Sequence, residues 1–304
     1  YRAPGAPIGA YAVECVLDEL AEEIKMCPLE FRLKNAAKEG TQAVHGPIYP
    51  KMGYLETVEA ALKHPHYKTP LKKLQGRGVA SGFWFNAGGE SCAQVNITED
   101  GNVVVTTGHP DIGGSRASIA NITAELLGID VNRVSVLIGD TASIGFSNLT
   151  GGSRVLFASA MVVTESTKQV VDILKQRAAK IWEIDEDAVN WENGEARPAG
   201  DNAGKFKPLT LAEIADKATP TGGPIGAGHQ VNTVGAEGGF ATHICDVEVD
   251  IELGIARVIR YTAVQDVGKA VHPAYVEGQL QGGVAQGIGW ALNEEYIYNE
   301  KGQL

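Results

Sequence analysis

Cysteine is scarce and scattered. The four residues, Cys15, Cys27, Cys92 and Cys245, never form a Cys-x-x-Cys pair. That spacing excludes an iron–sulfur or structural zinc site built from this chain alone. It also argues against a disulfide framework, so a reducing, cytoplasmic compartment is expected. Basic charge is short as well: 26 Lys and Arg stand against 37 Asp and Glu, a net charge of −11. Nucleic acid and anionic lipid select basic surfaces, and neither is expected as the main partner. No apolar run approaches the ~20 residues of a membrane span. No Gly-Lys-Ser/Thr closes a Walker loop, and no Gly-x-Gly-x-x-Gly follows a strand, so a Rossmann reading fails. The seven histidines are dispersed. His109 and His272 lack metal-ligand spacing and read as structural or hydrogen-bonding, so no side-chain metal ligands are expected.

Glycine, by contrast, is abundant. Many of the 37 fall in pairs, such as Gly113-Gly114 and Gly151-Gly152. Paired glycines allow positive φ and let backbone approach a ligand closely. The 304 residues, 44% hydrophobic, suffice for one large domain or two ordinary ones. Apolar spacing predicts helices over Tyr11–Lys25, Pro28–Ala37, Leu55–Leu62, Arg116–Leu127, Val155 to about Ile181, and Pro273–Ala291. Strands are expected from Gly76 to His109 with a turn at Asp100-Gly101, over Val134–Ile138, and in a hairpin turning at Leu253-Gly254. Residues 183–230 read as a polar, Gly/Pro-rich excursion. Hairpins dominate, so the expected fold class is α+β, with mixed sheets, β-hairpins and long helices.

Two stretches are nearly alike: "GHPDIGGSRASIA" and "SNLTGGSRVLFAS". Each sets Gly-Gly-Ser-Arg ahead of a helix. The first amides of a helix lack partners and its dipole is positive there, so glycines at that point make a phosphate cradle. The serine adds a hydroxyl and the arginine a charge. A serine cap with a surface arginine is the simpler reading of either elbow taken alone.

Longer motifs carry a resemblance. "YRAPGAPIGAYAVECVLDELAEEIKMCPLEFRLKN", "TTGHPDIGGSRASIANITAELLGI", "GDTASIGFSNLTGGSR" and "QDVGKAVHPAYVEGQLQGGVAQGIG" together resemble the large, molybdopterin-binding subunit of the xanthine dehydrogenase / aldehyde oxidase family of molybdenum hydroxylases. The likeness covers nearly the whole chain. It implies the molybdopterin-binding fold, with residues 1–75 the helical end of a first cofactor-binding half and connecting segment, and 76–304 a second, incomplete at its C-terminus. It implies molybdopterin with molybdenum, in the cytosine dinucleotide form, and iron–sulfur clusters and FAD on partner subunits. Arg2 and Phe83 match positions that orient substrate in the family. Ile112, Gly113, Gly114, Ser115 and Arg116 match the loop over the pterin. Gly151, Gly152, Ser153 and Arg154 match the stretch that holds the cofactor phosphate. Gln279 matches a cofactor contact on the last helix, and Gln286 is a second candidate on the same face. Many family members carry glutamine where Gly114 stands here.

The implied reaction is hydroxylation of an N-heterocycle or aldehyde carbon with water as the oxygen source, served by a glutamate base. The family's "GGRFGG"-type loop is missing. The segment carrying the catalytic glutamate is not reached either, so the base is expected outside this chain, with Glu90 and Glu237 rejected by their place in the motif order. Ala3-Pro4-Gly5 replaces the cysteine loop of carbon monoxide dehydrogenases. Neither end reads as a natural terminus, and the expectation is a piece of a large subunit or one chain of a split one. Two alternatives remain: a non-catalytic cofactor-binding or assembly subunit, and a protein holding an ordinary dinucleotide on its elbows.

Overall fold

The computed structural model describes residues 2–44 and 46–304, apart from the side chain of Glu237. In chain order its elements are α1 (Ala6–Glu23), α2 (Pro28–Asn35), α3 (Tyr54–Lys63), α4 (Pro65–Lys68), β1 (Gln75–Asn86), β2 (Gly89–Ile97), β3 (Val103–Thr107), α5 (Ser115–Leu127), β4 (Val134–Ile138) and α6 (Arg154–Trp182). Then come β5 (Val189–Glu192), β6 (Glu195–Pro198), β7 (Leu209–Thr210), α7 (Leu211–Asp216), α8 (Ala218–Thr221), β8 (Ile225–Thr233), β9 (Ala236–Asp250), β10 (Ile255–Gln265) and α9 (Pro273–Leu292). The fold is mixed α and β with three sheets. The chain packs as two compact units, residues 1–85 with 237–304, and residues 86–236.

Helix starts follow local chemistry. Proline with its fixed φ occupies the first turn of α1, α2 and α9. α1 begins at Ala6, five residues ahead of the expected Tyr11, because Gly5 takes φ 81° as its cap and Pro7 fits the first turn. Thr210 and Glu213 form a reciprocal capping box on α7. The turns at Asp100-Gly101 and Leu253-Gly254 stand where the glycines take φ 75° and 68°.

The unit of residues 86–236 is built on a four-stranded sheet, order β4-β3-β2-β8. β3 and β4 run parallel, with α5 as the crossover between them, and the other neighbours are antiparallel. β3 alternates buried and half-buried residues, as a strand with one covered face must. Val95, Val103 and Val105 meet Ile119 and Leu127 of α5 and Val162, Val163, Val170 and Leu174 of α6 in the main core. The polar stretch 183–230 is not irregular. It holds the small sheet β5-β6-β7, then α7, α8 and the start of β8, packed along α6 through Trp182, Val189, Leu211 and Ile214. The strands β5, β6 and β7 are two to four residues long, too short to show alternation.

The other unit carries the sheet β1-β9-β10. Its core is small: Leu29 of α2, Val58 and Ala61 of α3, Val79 of β1 and Ile244 of β9. Buried ionic groups tie the periphery. His66 and Arg77 both reach the buried Asp246, at 3.1 and 2.7 Å.

Candidate functional site

Both elbows lie at one end of the four-stranded sheet. β3 ends at Thr107 and leads into the first. The antiparallel register sets Ala93 opposite Thr107, so β2 enters the sheet at that same end through Gly89 and Glu90. The second elbow reaches the same place, because Arg154 donates to the carbonyls of Gly88 and Glu90.

The two Gly-Gly-Ser-Arg strings stand in different registers with their helices. In both elbows the two residues before the helix adopt positive φ. In the first these are Gly113 and Gly114, at 62° and 76°, and the helix starts at Ser115. In the second they are Gly152 and Ser153, at 60° and 58°, and the helix starts at Arg154. The strings are therefore offset by one residue, and each letter has a different task. Ser115 is buried in the first turn, where its Oγ accepts from the Ile112 amide at 3.3 Å. Ser153 is a cap held left-handed, a conformation costing a non-glycine residue ~1–2 kcal/mol. No hydrogen-bond partner among the described residues meets the N–H groups of Gly113, Gly114 and Gly152.

Neither arginine points a free guanidinium into solvent. Arg116 donates through Nε and Nη2 to the Val136 carbonyl at 3.1 and 2.9 Å, which pins α5 to β4. Arg154 is 2% exposed. Its guanidinium donates to four carbonyls: Gly88 (2.7 Å), Asn148 (2.9 Å), Leu149 (3.2 Å) and Glu90 (2.7 Å). It welds the second elbow to the start of β2 and to the loop before the elbow. Burial lowers its pKa, and the neighbouring Glu90 carboxylate partly offsets that.

Two groups beside the elbows were not in the expected site. His109 is buried, with Nε2 2.8 Å from Ser91 Oγ. Burial first, and then the Arg154 charge, push its pKa down to about 4, so it is neutral at pH 7. Its Nδ1 has no partner among the described residues. Glu90 accepts from Asn148 Nδ2 at 2.7 Å. Its own amide and Asn148 hold its carboxyl below the ordinary range, which makes it a weak base. Glu237, the other carboxylate weighed in the sequence, has its side chain outside the described residues.

The remaining expected residues lie in the other unit. Arg2 donates to the Gln279 carbonyl at 3.1 Å and to its Oε1 at 3.4 Å, bringing the chain's start onto α9. Gln286 follows two turns along α9, half-buried. Phe83 packs against Phe240 (centroids 5.1 Å apart) and Tyr49 (6.2 Å), and stays 38% exposed. Phe240 also stacks on Tyr54 at 4.9 Å. Among the described residues no group of His, Cys, Asp or Glu is arranged to hold a metal ion, and no helix is long and apolar enough to cross a membrane.

Comparison with known proteins gives a consistent picture. A family model described as "Molybdopterin cofactor-binding domain" matches residues 50–304, and a second, distinct model of the same description matches residues 1–36. The nicotine 6-hydroxylase large subunit of Paenarthrobacter nicotinovorans is 27% identical over 341 residues, covering 100% of this chain and 41% of that protein. The aldehyde oxidoreductase molybdenum-binding subunit PaoC of Escherichia coli is 28% identical over 310 residues, with 99% of this chain and 41% of that protein covered. Quinoline 2-oxidoreductase of Pseudomonas putida 86 superposes with a TM-score of 0.83 at 26% identity, over 97% of this chain and 42% of that one. The chain thus spans about two-fifths of the length of these relatives.

Proposed function

Because the chain belongs to the molybdopterin cofactor-binding domain family, we propose that it is the cofactor-holding portion of the large subunit of a molybdenum hydroxylase. The whole enzyme oxidises a carbon of an N-heterocycle or an aldehyde, with water as the oxygen source. Nicotine 6-hydroxylase and aldehyde oxidoreductase among the relatives bracket this range. Residues 1–75 form the helical end of a first cofactor-binding half and a connecting segment, and 76–304 belong to a second half. Iron–sulfur and FAD subunits take the electrons, since four scattered cysteines hold no cluster. The setting is a reducing cytoplasm.

One observation carries the reading of the elbows. At the same sheet end, two helices begin behind left-handed residue pairs, and the amides of Gly113, Gly114 and Gly152 have no partner among the described residues. Such amides, at the positive end of a helix, suit phosphate oxygens. Backbone N–H groups of Gly113, Gly114 and Gly152 would hold the cofactor's phosphate and pterin edges, with Ile112, Gly151 and Ser153 completing the two loops. Ser115, Arg116 and Arg154 act by shaping the elbows. Gln279, fixed by Arg2, and Gln286 offer amide groups from α9. The cofactor supplies the redox centre and the site of oxygen transfer. Phe83, backed by Phe240, offers an aromatic face to a flat substrate. Arg2 carries a charge able to meet negative charge developing on the substrate. The low basicity of Glu90 fits a base supplied from outside these residues. The cofactor is of the cytosine dinucleotide form, whose two phosphates give two elbows something to hold.

The test is Gly152→Val in the assembled enzyme. A β-branched residue at φ 60° is strained, and its methyls crowd the amides. The expected product is a folded enzyme with molybdenum and acid-released CMP reduced at least tenfold. Normal contents of both would overturn the phosphate role of this elbow, and released GMP or AMP would overturn the cytosine form.

A further inference from the structure

Three aromatic rings stand behind Phe83, and polar groups fix them. Strand alternation puts Ser81 and Phe83 on one face of β1. Tyr54, the first residue of α3, reaches that face. Its hydroxyl donates to Ser81 Oγ at 3.0 Å, and its ring stacks on Phe240 with centroids 4.9 Å apart and planes 28° apart. Phe240 packs on Phe83 at 5.1 Å, and Tyr49 meets Phe240 and Phe83 edge-on at 5.8 and 6.2 Å. Burial raises the Tyr54 pKa above its ordinary value, so the hydroxyl keeps its proton and stays a donor. Both ends of the stack are anchored. The Gly53 amide, next to Tyr54, donates to Asp266 Oδ2 at 2.7 Å. The Asp266 amide and Gln265 Nε2 donate to the Phe240 carbonyl at 2.9 and 2.8 Å. On the β1 side, the Ser81 amide donates to Glu14 Oε2 at 2.8 Å. Arg32, its side chain 1% exposed, holds that carboxylate at 2.6 Å and Asp18 at 2.9 Å.

We propose that Tyr54 is a positioning residue for the substrate face: its hydroxyl, fixed on Ser81, sets the tilt of Phe240 and so the aspect that Phe83 presents to a flat aromatic substrate. This rests on the reading that Phe83 meets substrate. Of the four rings, only Phe83 is exposed, and the other three are buried or half-buried. A cluster that needed burial alone would be served by phenylalanine at position 54. The hydroxyl adds a fixed point on the strand that carries Phe83, and that point stops the Tyr54 ring from sliding over Phe240. Close-packed rings have little room to relax, so a displacement of one is passed to the next. Aromatic pairs are held by offset and tilt as well as by area, so the aspect of the exposed ring decides how a planar heterocycle lies on it. A small aliphatic molecule has no ring plane to orient and gains nothing from this arrangement.

The experiment uses the complete, assembled enzyme with 4-cyanophenylalanine at position 83, whose nitrile stretch reports the surroundings of that ring. Quinoline is the flat probe. The parent should show one narrow nitrile band that moves as quinoline is added. Tyr54→Phe keeps the ring and removes the hydroxyl. It should broaden or split the band and weaken quinoline binding roughly threefold to tenfold, the effect of one ordinary hydrogen bond. Ser81→Ala removes the same bond from its other end and should act alike, and the double variant should do no more than either. Tyr67→Phe is the control, because Tyr67 shares a hydrogen bond with Cys27 at 3.0 Å and packs on the same small core without touching the four rings. An unchanged band in Tyr54→Phe would overturn the proposal, as would unchanged quinoline affinity or an equal change in Tyr67→Phe. A band that answers to Tyr54 but never to quinoline would sink the reading of Phe83 as the substrate face. A band that answers to quinoline but not to Tyr54 would sink this proposal and leave that reading standing.

Discussion

Replacing Arg154 by methionine keeps most of the buried volume and removes the guanidinium. Four carbonyls lose a donor. The Glu90 carbonyl keeps the Asn148 amide at 3.0 Å, which leaves those of Gly88, Asn148 and Leu149 stripped of this partner. Leaving a fully buried acceptor unsatisfied costs ~1–3 kcal/mol, and these three carbonyls are only partly buried, so the total is about 1–3 kcal/mol. That is a substantial share of the ~5–15 kcal/mol that stabilises an ordinary domain. With a urea slope of ~2 kcal/mol per molar, the unfolding midpoint of the cofactor-free protein should fall by ~0.5–1.5 M. Tryptophan fluorescence follows it, because Trp182 and Trp191 both sit in the unit that Arg154 serves. Arg154→Lys should fare nearly as badly, since a point charge cannot replace a planar fork over several carbonyls. A phosphate-binding arginine would behave differently. Its loss would spare the cofactor-free protein, weaken cofactor retention, and be partly rescued by lysine. A midpoint shift below ~0.3 M in Arg154→Met would refute the role assigned here.

Other perturbations have equally definite outcomes. His109 has a folded pKa of about 4 against an ordinary 6.5, so the unfolded chain binds the proton first. Stability is therefore complete above pH ~6.5 and falls as the pH drops toward 4, by about 3 kcal/mol in all. His109→Gln should flatten that limb of the denaturation-against-pH curve, and an unchanged slope would show that His109 does not titrate in this window. Arg2→Met frees Gln279 while leaving the elbows intact. It should lower kcat/KM by the equivalent of ~2–4 kcal/mol with molybdenum content retained, and unchanged turnover would assign Arg2 a purely structural contact.

Much of this protein was legible in its residues, because much of it is decided locally. Pro28 and Pro273 start helices wherever the chain places them, since a proline's fixed φ and missing N–H suit only the first turn. The glycines at 101 and 254 turn hairpins because little else tolerates their φ. The long motifs carried the family resemblance, and the family matches agree with it. What the sequence could not decide was anything set by distant neighbours. Two identical Gly-Gly-Ser-Arg strings look equivalent on paper, but each helix begins where its tertiary partners allow, and the registers differ by one residue. Arginines that read as phosphate ligands became struts, because the carbonyls they satisfy come from residues up to 66 positions away. β8 hid in a polar stretch, as an edge strand draws its order from pairing with β2 rather than from its own side chains. Apolar spacing marked α1 as a helix in the sequence, but spacing does not say which side of a helix is buried. Arg32 decided that, by burying its charge against Glu14 and Asp18 and turning the opposite side of the helix outward.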